Sequence, residues 1–429
     1  MVNPTKDDPQ MLARMRADWN QRAGEDANYY VAFGRRRQEE GEFYATASDV
    51  VRDLEHDLKR FAGRDAALEI GCGPGRLMRP LGRHFHEIHG VDVSDEMIRL
   101  ASERLRDLPH AHLHHGSGAD LGMFPDNTFD FVYSYAVFQH IPSREIVFDY
   151  LREARRVLKP GGVMRCQING LPPHARQYDT WSGVRITPDE IREFSRQIDF
   201  SLLALEKIWT QYMWVSWRKP GGALAAPRGR ASLVKIGNAL TGESVAPSAG
   251  IMAAISVWGH NLPAEADLEN LTVRVEGKAC RLSYIGPPER DGVSYVNAIL
   301  PEGLRTGLVP VEVWWEEKLL FAPGWVRIMP PGPLVPRVLA VNDGINLLLG
   351  NRVLTRTVKV TMLEVAHADK FRAAVDGVGA GPMDRFCTDV LSQRWEFNFH
   401  LPQEIGAGTH AVQISLGGRT FAPVWIEVG

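Results

Sequence analysis

Residues 67–75 read Ala67-Leu68-Glu69-Ile70-Gly71-Cys72-Gly73-Pro74-Gly75. About twenty residues on, at the distance a second strand needs, the chain reads Gly90-Val91-Asp92-Val93. The first stretch is a short apolar run delivered into glycines at alternate positions, a strand that can turn sharply and let a ligand press against bare backbone. Asp92, closing the next apolar run, is placed to accept hydrogen bonds from the two hydroxyls of a ribose. The dinucleotide fingerprint G-x-G-x-x-G would carry its third glycine one position later than Gly75. Glu69, just before the loop, would repel a pyrophosphate but suits a ligand bearing an amino group and a sulfonium.

On these residues the chain resembles the class I S-adenosylmethionine-dependent methyltransferases, in particular the small-molecule, methyltransferase type 11-like branch. Three further segments keep the family's order. Ser94-Asp95-Glu96-Met97 can cap a helix and place acids in its first turn. Gly116-Ser117-Gly118-Ala119-Asp120-Leu121 leads to the strand at 130–135, and Leu158-Lys159-Pro160-Gly161-Gly162 closes a helix before the strand at 163–168. The resemblance covers roughly the first half of the chain. It implies S-adenosyl-L-methionine as cofactor, held by Glu69, Gly71, Cys72, Gly73, Gly75, Asp92, Val93, Met97, Gly118, Ala119, Asp120 and Tyr135. Where the family carries a Gly-Asp-Ala run whose acid meets adenine, this chain has Gly118, with Asp120 two residues later.

Strand and helix patterns alternate through 67–70, 76–84, 88–91, 95–106, 112–115, 130–135, 143–158 and 163–168, which predicts a parallel sheet covered on both faces. Thr187-Pro188-Asp189-Glu190 is a capping box with proline at the first helical position. Strands predicted at 202–208 and 212–218 would supply a closing antiparallel pair. The expected fold is an α/β Rossmann-like methyltransferase domain with a seven-stranded sheet, over residues 1–222. Residues 11–61 read as helical, and the resemblance makes their first part a lid that shapes the acceptor pocket with Trp19, Arg22, Tyr29 and Tyr30; packing of an N-terminal helix is the other reading.

Methyl transfer requires alignment of donor and acceptor and removal of a proton from the acceptor. His140, in the run leaving the fourth strand, is the candidate general base, because imidazole titrates near neutral pH; steadying the loop is its other reading. Gln139, Tyr178 and Trp181 are candidate acceptor contacts. Ser134-Tyr135-Ala136-Val137 is neither the Asn/Asp-Pro-Pro-Tyr/Phe signature of nucleobase and amide methylation nor the Pro-Cys of cytosine methylation. The expectation is an enzyme methylating a hydroxyl or amine of a small molecule or sugar. The competing reading is a cofactor-binding scaffold with an idle fold, which should have lost Glu69, a loop glycine or Asp92.

Lys and Arg number 49 against 52 Asp and Glu, a net charge of -3, so no global field recruits nucleic acid or an anionic membrane. The longest apolar stretch, around 246–258, falls short of the roughly 20 residues a membrane helix needs. Cys72, Cys166, Cys280 and Cys387 lack metal-site spacing, which fits a reducing cytoplasm. His110, His112 and His114 would point the same way on a strand, but the carboxylate or cysteine company of a metal site is not identifiable. They are read as a solvated edge strand, and no metal is assigned.

The remaining residues hold an internal repeat. Residues 271–277 end Val275-Glu276-Gly277 and residues 371–377 end Val375-Asp376-Gly377. Asn297, Leu300-Pro301, Gly307 and Val311 line up with Asn398, Leu401-Pro402, Gly408 and Val412. Phe321-Ala322-Pro323 and Trp325 match Phe421-Ala422-Pro423 and Trp425, and Asn261-Leu262 is paired with Asn346-Leu347. Short alternating strands with Gly and Pro turns predict two all-β immunoglobulin-like sandwiches, at 247–332 and 333–429, after a Gly, Ala and Pro-rich linker at 223–246. Their expected roles are binding a glycan, docking a protein partner or self-association. Alternation puts Trp314 and Trp315 on opposite faces, one of them in the core.

Overall fold

The structure, a computed structural model, describes residues 9–32, 36–173, 178–222, 224, 229–250, 252–332, 334–345, 350–381, 384–389 and 392–429. It divides into two compact units, Met1–Ala27 with Tyr44–Pro331, and Asn28–Phe43 with Gly332–Gly429. Among the described residues no helix is long and apolar enough to cross a membrane.

In the first unit, β1 (Ala66–Ile70), β2 (Glu87–Asp92), β3 (Ala111–His115), β4 (Phe129–Ser134) and β5 (Leu158–Ile168) are parallel. They run in the order β3-β2-β1-β4-β5, continued by antiparallel β7 (Met213–Arg218) and β6 (Ser201–Glu206). Every residue of β1 and β4 is buried, as a strand covered on both faces requires. The covering helices are α4 (Met78–Gly82), α5 (Asp95–Arg104), α6 (Arg144–Val157) and α7 (Pro188–Gln197), preceded in the chain by α1 (Pro9–Ala32), α2 (Glu40–Ala45) and α3 (Ser48–Asp57). The leading helical stretch is therefore not continuous, and α1 is itself interrupted at Asp26, whose φ of -172° is extended. Ser94 accepts from Met97 N at 3.1 Å to cap α5, and the Thr187–Glu190 capping box opens α7.

The sheet does not stop at seven strands. β6 pairs with β13 (Arg281–Ile285) at Ala204 and Tyr284, and beyond it come β14 (Val293–Ile299), β10 (Ala254–His260) and β8 (Ser232–Asn238), giving an eleven-stranded sheet. An unpaired β6 would present a row of free backbone groups; β13 bridges this edge at Ala204, and Leu202 O accepts from Leu268 N at 2.8 Å. The linker expectation is corrected too: β8 lies inside 223–246 and β9 (Val245–Pro247) begins there, so the sandwich begins earlier than residue 247. Leu233 and Ile236 stand three residues apart, out of step with strand alternation, and an irregularity in the pairing of β8 with β10 brings both side chains into the space beside Gly324. The second sheet of this sandwich runs β12 (Lys278–Ala279), β11 (Leu271–Val275), β15 (Gly307–Trp315), β17 (Gly324–Met329), β9, with β16 (Lys318–Leu319) on β15. One apolar core runs on from Phe200, Leu202 and Leu205 to Leu268, Leu271 and Leu282.

Ion pairs reinforce this junction. Asp57, 2% exposed, accepts from Arg60 Nε at 2.5 Å, and Arg165 Nε lies 3.2 Å from its other oxygen, an ion contact without an aligned hydrogen bond. Burial alone would raise the Asp57 pKa, but the Arg165 and Arg60 guanidiniums outweigh it and hold the carboxyl below its ordinary range. Arg60 in turn donates to Ile285 O at 2.7 Å, and Arg165 donates to Glu206 at 2.6 Å.

The second unit contains the other sandwich. One sheet is β18 (Arg337–Asp343), β20 (Thr357–Leu363), β24 (Arg394–His400), β23 (Asp384–Asp389); the other is β19 (Arg352–Val353), β27 (Val424–Val428), β25 (Gly408–Leu416), β21 (Phe371–Val375), β22 (Val378–Ala380), with β26 (Arg419–Thr420) on β25. Phe371 and Phe397 stack across the two sheets at 3.9 Å. Adding ten to each strand number of the first sandwich reproduces this order, so the repeat is topological and begins at β8 and β18, before residue 271. Asn346 and Leu347 lie outside the described residues. The shared order instead sets the residues after β10 opposite those after β20, where Asn261 and Glu364 have φ of 54° and 56°. Trp315 packs against the core, whereas Trp314 donates to Glu312 at 3.1 Å under Arg274.

Candidate functional site

β1 ends at Ile70, and the chain turns back through Gly71, Gly73 and Gly75, with φ of 71°, 51° and 82°. Gly71 and Gly75 are also held by packing: a Cβ at Gly71 would lie 2.3 Å from Val137, and one at Gly75 2.7 Å from Leu105. Gly73 N donates to Asp92 Oδ2 at 2.9 Å and Ser94 N donates to Oδ1 at 2.9 Å, which fixes the carboxylate at the carboxyl end of β2. Burial raises the Asp92 pKa, and the Ser94 and Gly73 amides offset part of the rise. Glu69 is 3% exposed and accepts from the Tyr133 hydroxyl at 3.1 Å. Burial pushes its carboxyl well above the ordinary range; Tyr133 and Arg76 only partly counter this, and Asp92 adds to it. Two neighbouring carboxyls with raised pKa values form a place where a cation is welcome and a pyrophosphate is not, so the residues fit a ligand with an amino group and a sulfonium.

The rest of the loop cluster is apolar. Met97 is buried, Ala119 is buried, and Gly118 (φ 85°) lies against Val93, where a Cβ would come within 2.9 Å of the valine. Cys72 is buried against Gly90, and burial raises its thiol pKa well above the usual value, so it is a packing residue and not a nucleophile. Asp120 departs from the expected arrangement: it is exposed and its carboxylate accepts from Gly122 N at 2.9 Å, a turn it makes with its own chain. Tyr135 stacks on Trp214 at 5.6 Å.

At the same rim, β4 runs into a turn in which Ala136 has φ of 57°, and a short helical turn brings Gln139 and His140 forward. His140 is buried. Its Nδ1 is 2.8 Å from Trp181 O and so carries the proton it donates, while Nε2 is 3.3 Å from the Gln139 amide nitrogen. Burial lowers its pKa to about 4, the Trp181 carbonyl opposing and Arg22 assisting, so the ring is neutral at pH 7. Trp19 meets His140 edge-on at 5.3 Å, and Trp181 lies 5.6 Å from it. Arg22 sits over both indoles, at 4.7 and 5.2 Å, and donates to Thr180 O at 2.9 Å.

Residues 68–166 match the family model described as a methyltransferase domain. This part of the chain is a methyltransferase domain. Among similar proteins, phosphoethanolamine N-methyltransferase 2 of Caenorhabditis elegans is 37% identical over 118 residues, 26% of this chain and 26% of that protein. Demethylmenaquinone methyltransferase of Staphylococcus haemolyticus is 34% identical over 110 residues, 25% of this chain and 44% of that protein. The chain thus spans less than half the length of either. A solved S-adenosylmethionine-dependent methyltransferase of Aquifex aeolicus covers 42% of this chain and all of its own (100%), at 18% identity and a TM-score of 0.32.

The first compact unit brings Glu69, Asp92 and the glycines into one cluster, and Trp19, Arg22, Gln139, His140 and Trp181 into another. Tyr178 is partly buried against the core. Tyr29 and Tyr30 fall in the second compact unit, where they meet edge-on at 5.2 Å with Arg36 4.3 Å above Tyr29. Sequence reasoning missed Asp18, Asn20 and Thr180. Thr180 Oγ1 donates to Asp18 at 2.5 Å, and Asn20 accepts from Ser94 Oγ at 2.7 Å, tying α1 to the methyltransferase domain beside Asp92. The i, i+4 spacing of Asp18 and Arg22 on one helix face was the available signal. Arg76, buried next to the glycine loop and donating to Thr46 at 2.8 Å, was also missed; its signal was its place directly after Gly75.

Proposed function

We propose that the methyltransferase domain binds S-adenosyl-L-methionine and methylates a hydroxyl or amine of a small molecule or sugar. The observation that carries this reading is the pair of desolvated carboxyls, Glu69 and Asp92, around the turn built on Gly71, Gly73 and Gly75. Bound there, the cofactor supplies an electrophilic methyl carbon for in-line displacement. Glu69 receives its amino group, with Tyr133 orienting the carboxylate, and Asp92 receives the ribose hydroxyls while its amide bonds hold it still. Gly118, Ala119, Val93 and Met97 line the adenine side.

On the acceptor side, Trp19 and Trp181 exclude water, and the neutral His140 offers Nε2 as the proton acceptor. Its low basicity makes positioning the larger part of its role and proton removal the smaller. Retention of Glu69, Asp92 and the glycines speaks against an idle fold. The two sandwiches, which we read as immunoglobulin-type, present Trp325 (56% exposed) and Trp425 (58%) at equivalent positions, and these serve a glycan, a protein partner or self-association.

The test is calorimetric titration of the full chain with S-adenosylmethionine and its demethylated product. Micromolar binding is expected, and Asp92→Ala should weaken it by about 10- to 100-fold, the value of one or two hydrogen bonds to a charged group. Wild-type protein that binds neither compound would overturn the cofactor assignment, and with it both the enzyme and the cofactor-binding scaffold, leaving a relic fold. An Asp92→Ala variant that binds as tightly as wild type would remove the ribose assignment alone.

A further inference from the structure

β2 and β3 are parallel neighbours at the free end of the large sheet, and their register sets His89 directly opposite His112. Opposed residues share a face, and the two imidazole centroids are 4.8 Å apart. Glu87 stands two residues before His89 on the same face, its carboxylate 3.5 Å from His89 Nε2. One donor atom each from Glu87, His89 and His112 can be enclosed with no separation above 4.8 Å. The 3.5 Å edge is close to the ~3.4 Å between ligands of a tetrahedral ion with ~2.1 Å bonds.

The surroundings favour a ligand over a solvated edge. His114 Nε2 lies 3.0 Å from His89 Nδ1, the rings stacked at 5.3 Å. With Nδ1–H of His89 donating to His114, the lone pair of His89 Nε2 is left facing Glu87, the arrangement in which a metal-binding histidine is anchored through its second nitrogen. Phe124 and Phe129 stand edge-on to His89 at 6.0 and 5.3 Å and fix its plane. Glu87 is exposed and gives the site a solvent approach.

We propose that Glu87, His89 and His112 bind a divalent transition-metal ion of the zinc class, with His114 anchoring His89 and water completing the coordination. Two imidazoles and a carboxylate suit that class and not calcium or magnesium. Glu87 opens β2 and Asp92 closes it, so the ion lies at the opposite end of the strand from the glycine loop. Its effect is to clip the edge strand β3 to β2.

The experiment takes the full chain, stripped with a chelator, and titrates it with Zn2+ by calorimetry and with Co2+ by visible absorption. Binding of one ion at micromolar concentration is expected, with the visible spectrum of a low-coordinate Co2+ site and a higher melting temperature with metal. His112→Ala and the exposed, fold-neutral Glu87→Gln should each lose the Co2+ spectrum, and His114→Gln should weaken binding by about 10- to 100-fold. His110→Ala, whose ring contacts Gly82 O at 3.2 Å, should leave it unchanged. No binding by the wild type, or binding undiminished in both His112→Ala and Glu87→Gln, would overturn the proposal.

Discussion

Replacing His140 by Asn tests the electrostatics of the acceptor site directly. The amide nitrogen of Asn can stand in for Nδ1 and keep the bond to Trp181 O, while the titrating ring is gone. In the folded protein His140 titrates at about 4 against 6.5 for a free imidazole, because burial opposes its charged form. Between these values the unfolded chain takes up a proton that the folded chain refuses, so stability falls as pH drops from 6.5 toward 4 and the loss levels off below that. At 1.36 kcal/mol per pH unit the full loss is about 3 kcal/mol, of which about 2 kcal/mol is reached by about pH 5. At roughly 2 °C per kcal/mol for a unit of this size, the wild-type melting temperature loses about 4 °C to this one group between about pH 7.5 and about pH 5. His140→Asn should be spared that loss, so the gap between the two proteins should change by about 4 °C over the same interval. Melting curves that stay parallel, or an NMR titration placing the His140 ring near 6.5, would refute the reasoning. The same displacement predicts that kcat/KM carries no limb near pH 6.5 from this residue.

Asp57→Ala leaves Arg60 and Arg165 facing each other without their shared anion at the junction with the first sandwich, and should cost about 3 to 5 kcal/mol, measured as a drop in melting temperature. A shift within error of zero would mean that the cluster is hydrated. In the second sandwich, the fully buried Asp343 accepts from Leu354 N, Thr355 N and Thr355 Oγ1 at 2.7 to 2.9 Å. Asp343→Ala should destabilise that module by about 3 kcal/mol, with a smaller loss for Asp343→Asn, read by calorimetry.

Local chemistry was legible. The positive-φ glycines, the Ser94 cap and the Thr187 capping box depend on residues within a few positions of one another, so residue type and spacing carry them. The repeat was legible where both copies kept the same turn chemistry, as at Glu276-Gly277 and Asp376-Gly377, all with positive φ. It was lost at β8, because Leu233 and Ile236 stand three residues apart across an irregularity in the strand, which breaks the alternation a strand would show, and they are set among glycines and alanines. His140 was visible as an imidazole at the right rim, but its low pKa arises from burial under Trp19 and Trp181, residues far from it along the chain.

By itself the sequence determined a glycine turn on a strand, an acid to follow it, alternating helices and strands, and a tandem β repeat. Each follows from backbone freedom, capping or periodicity, which act over a handful of residues. Tertiary structure alone decided that β6 continues into β13, that Asp57 lies between two guanidiniums, and that Glu87 stands beside His89 and His112. These are pairings between distant or register-dependent positions, set by which edges and charges must be satisfied once the layers are assembled.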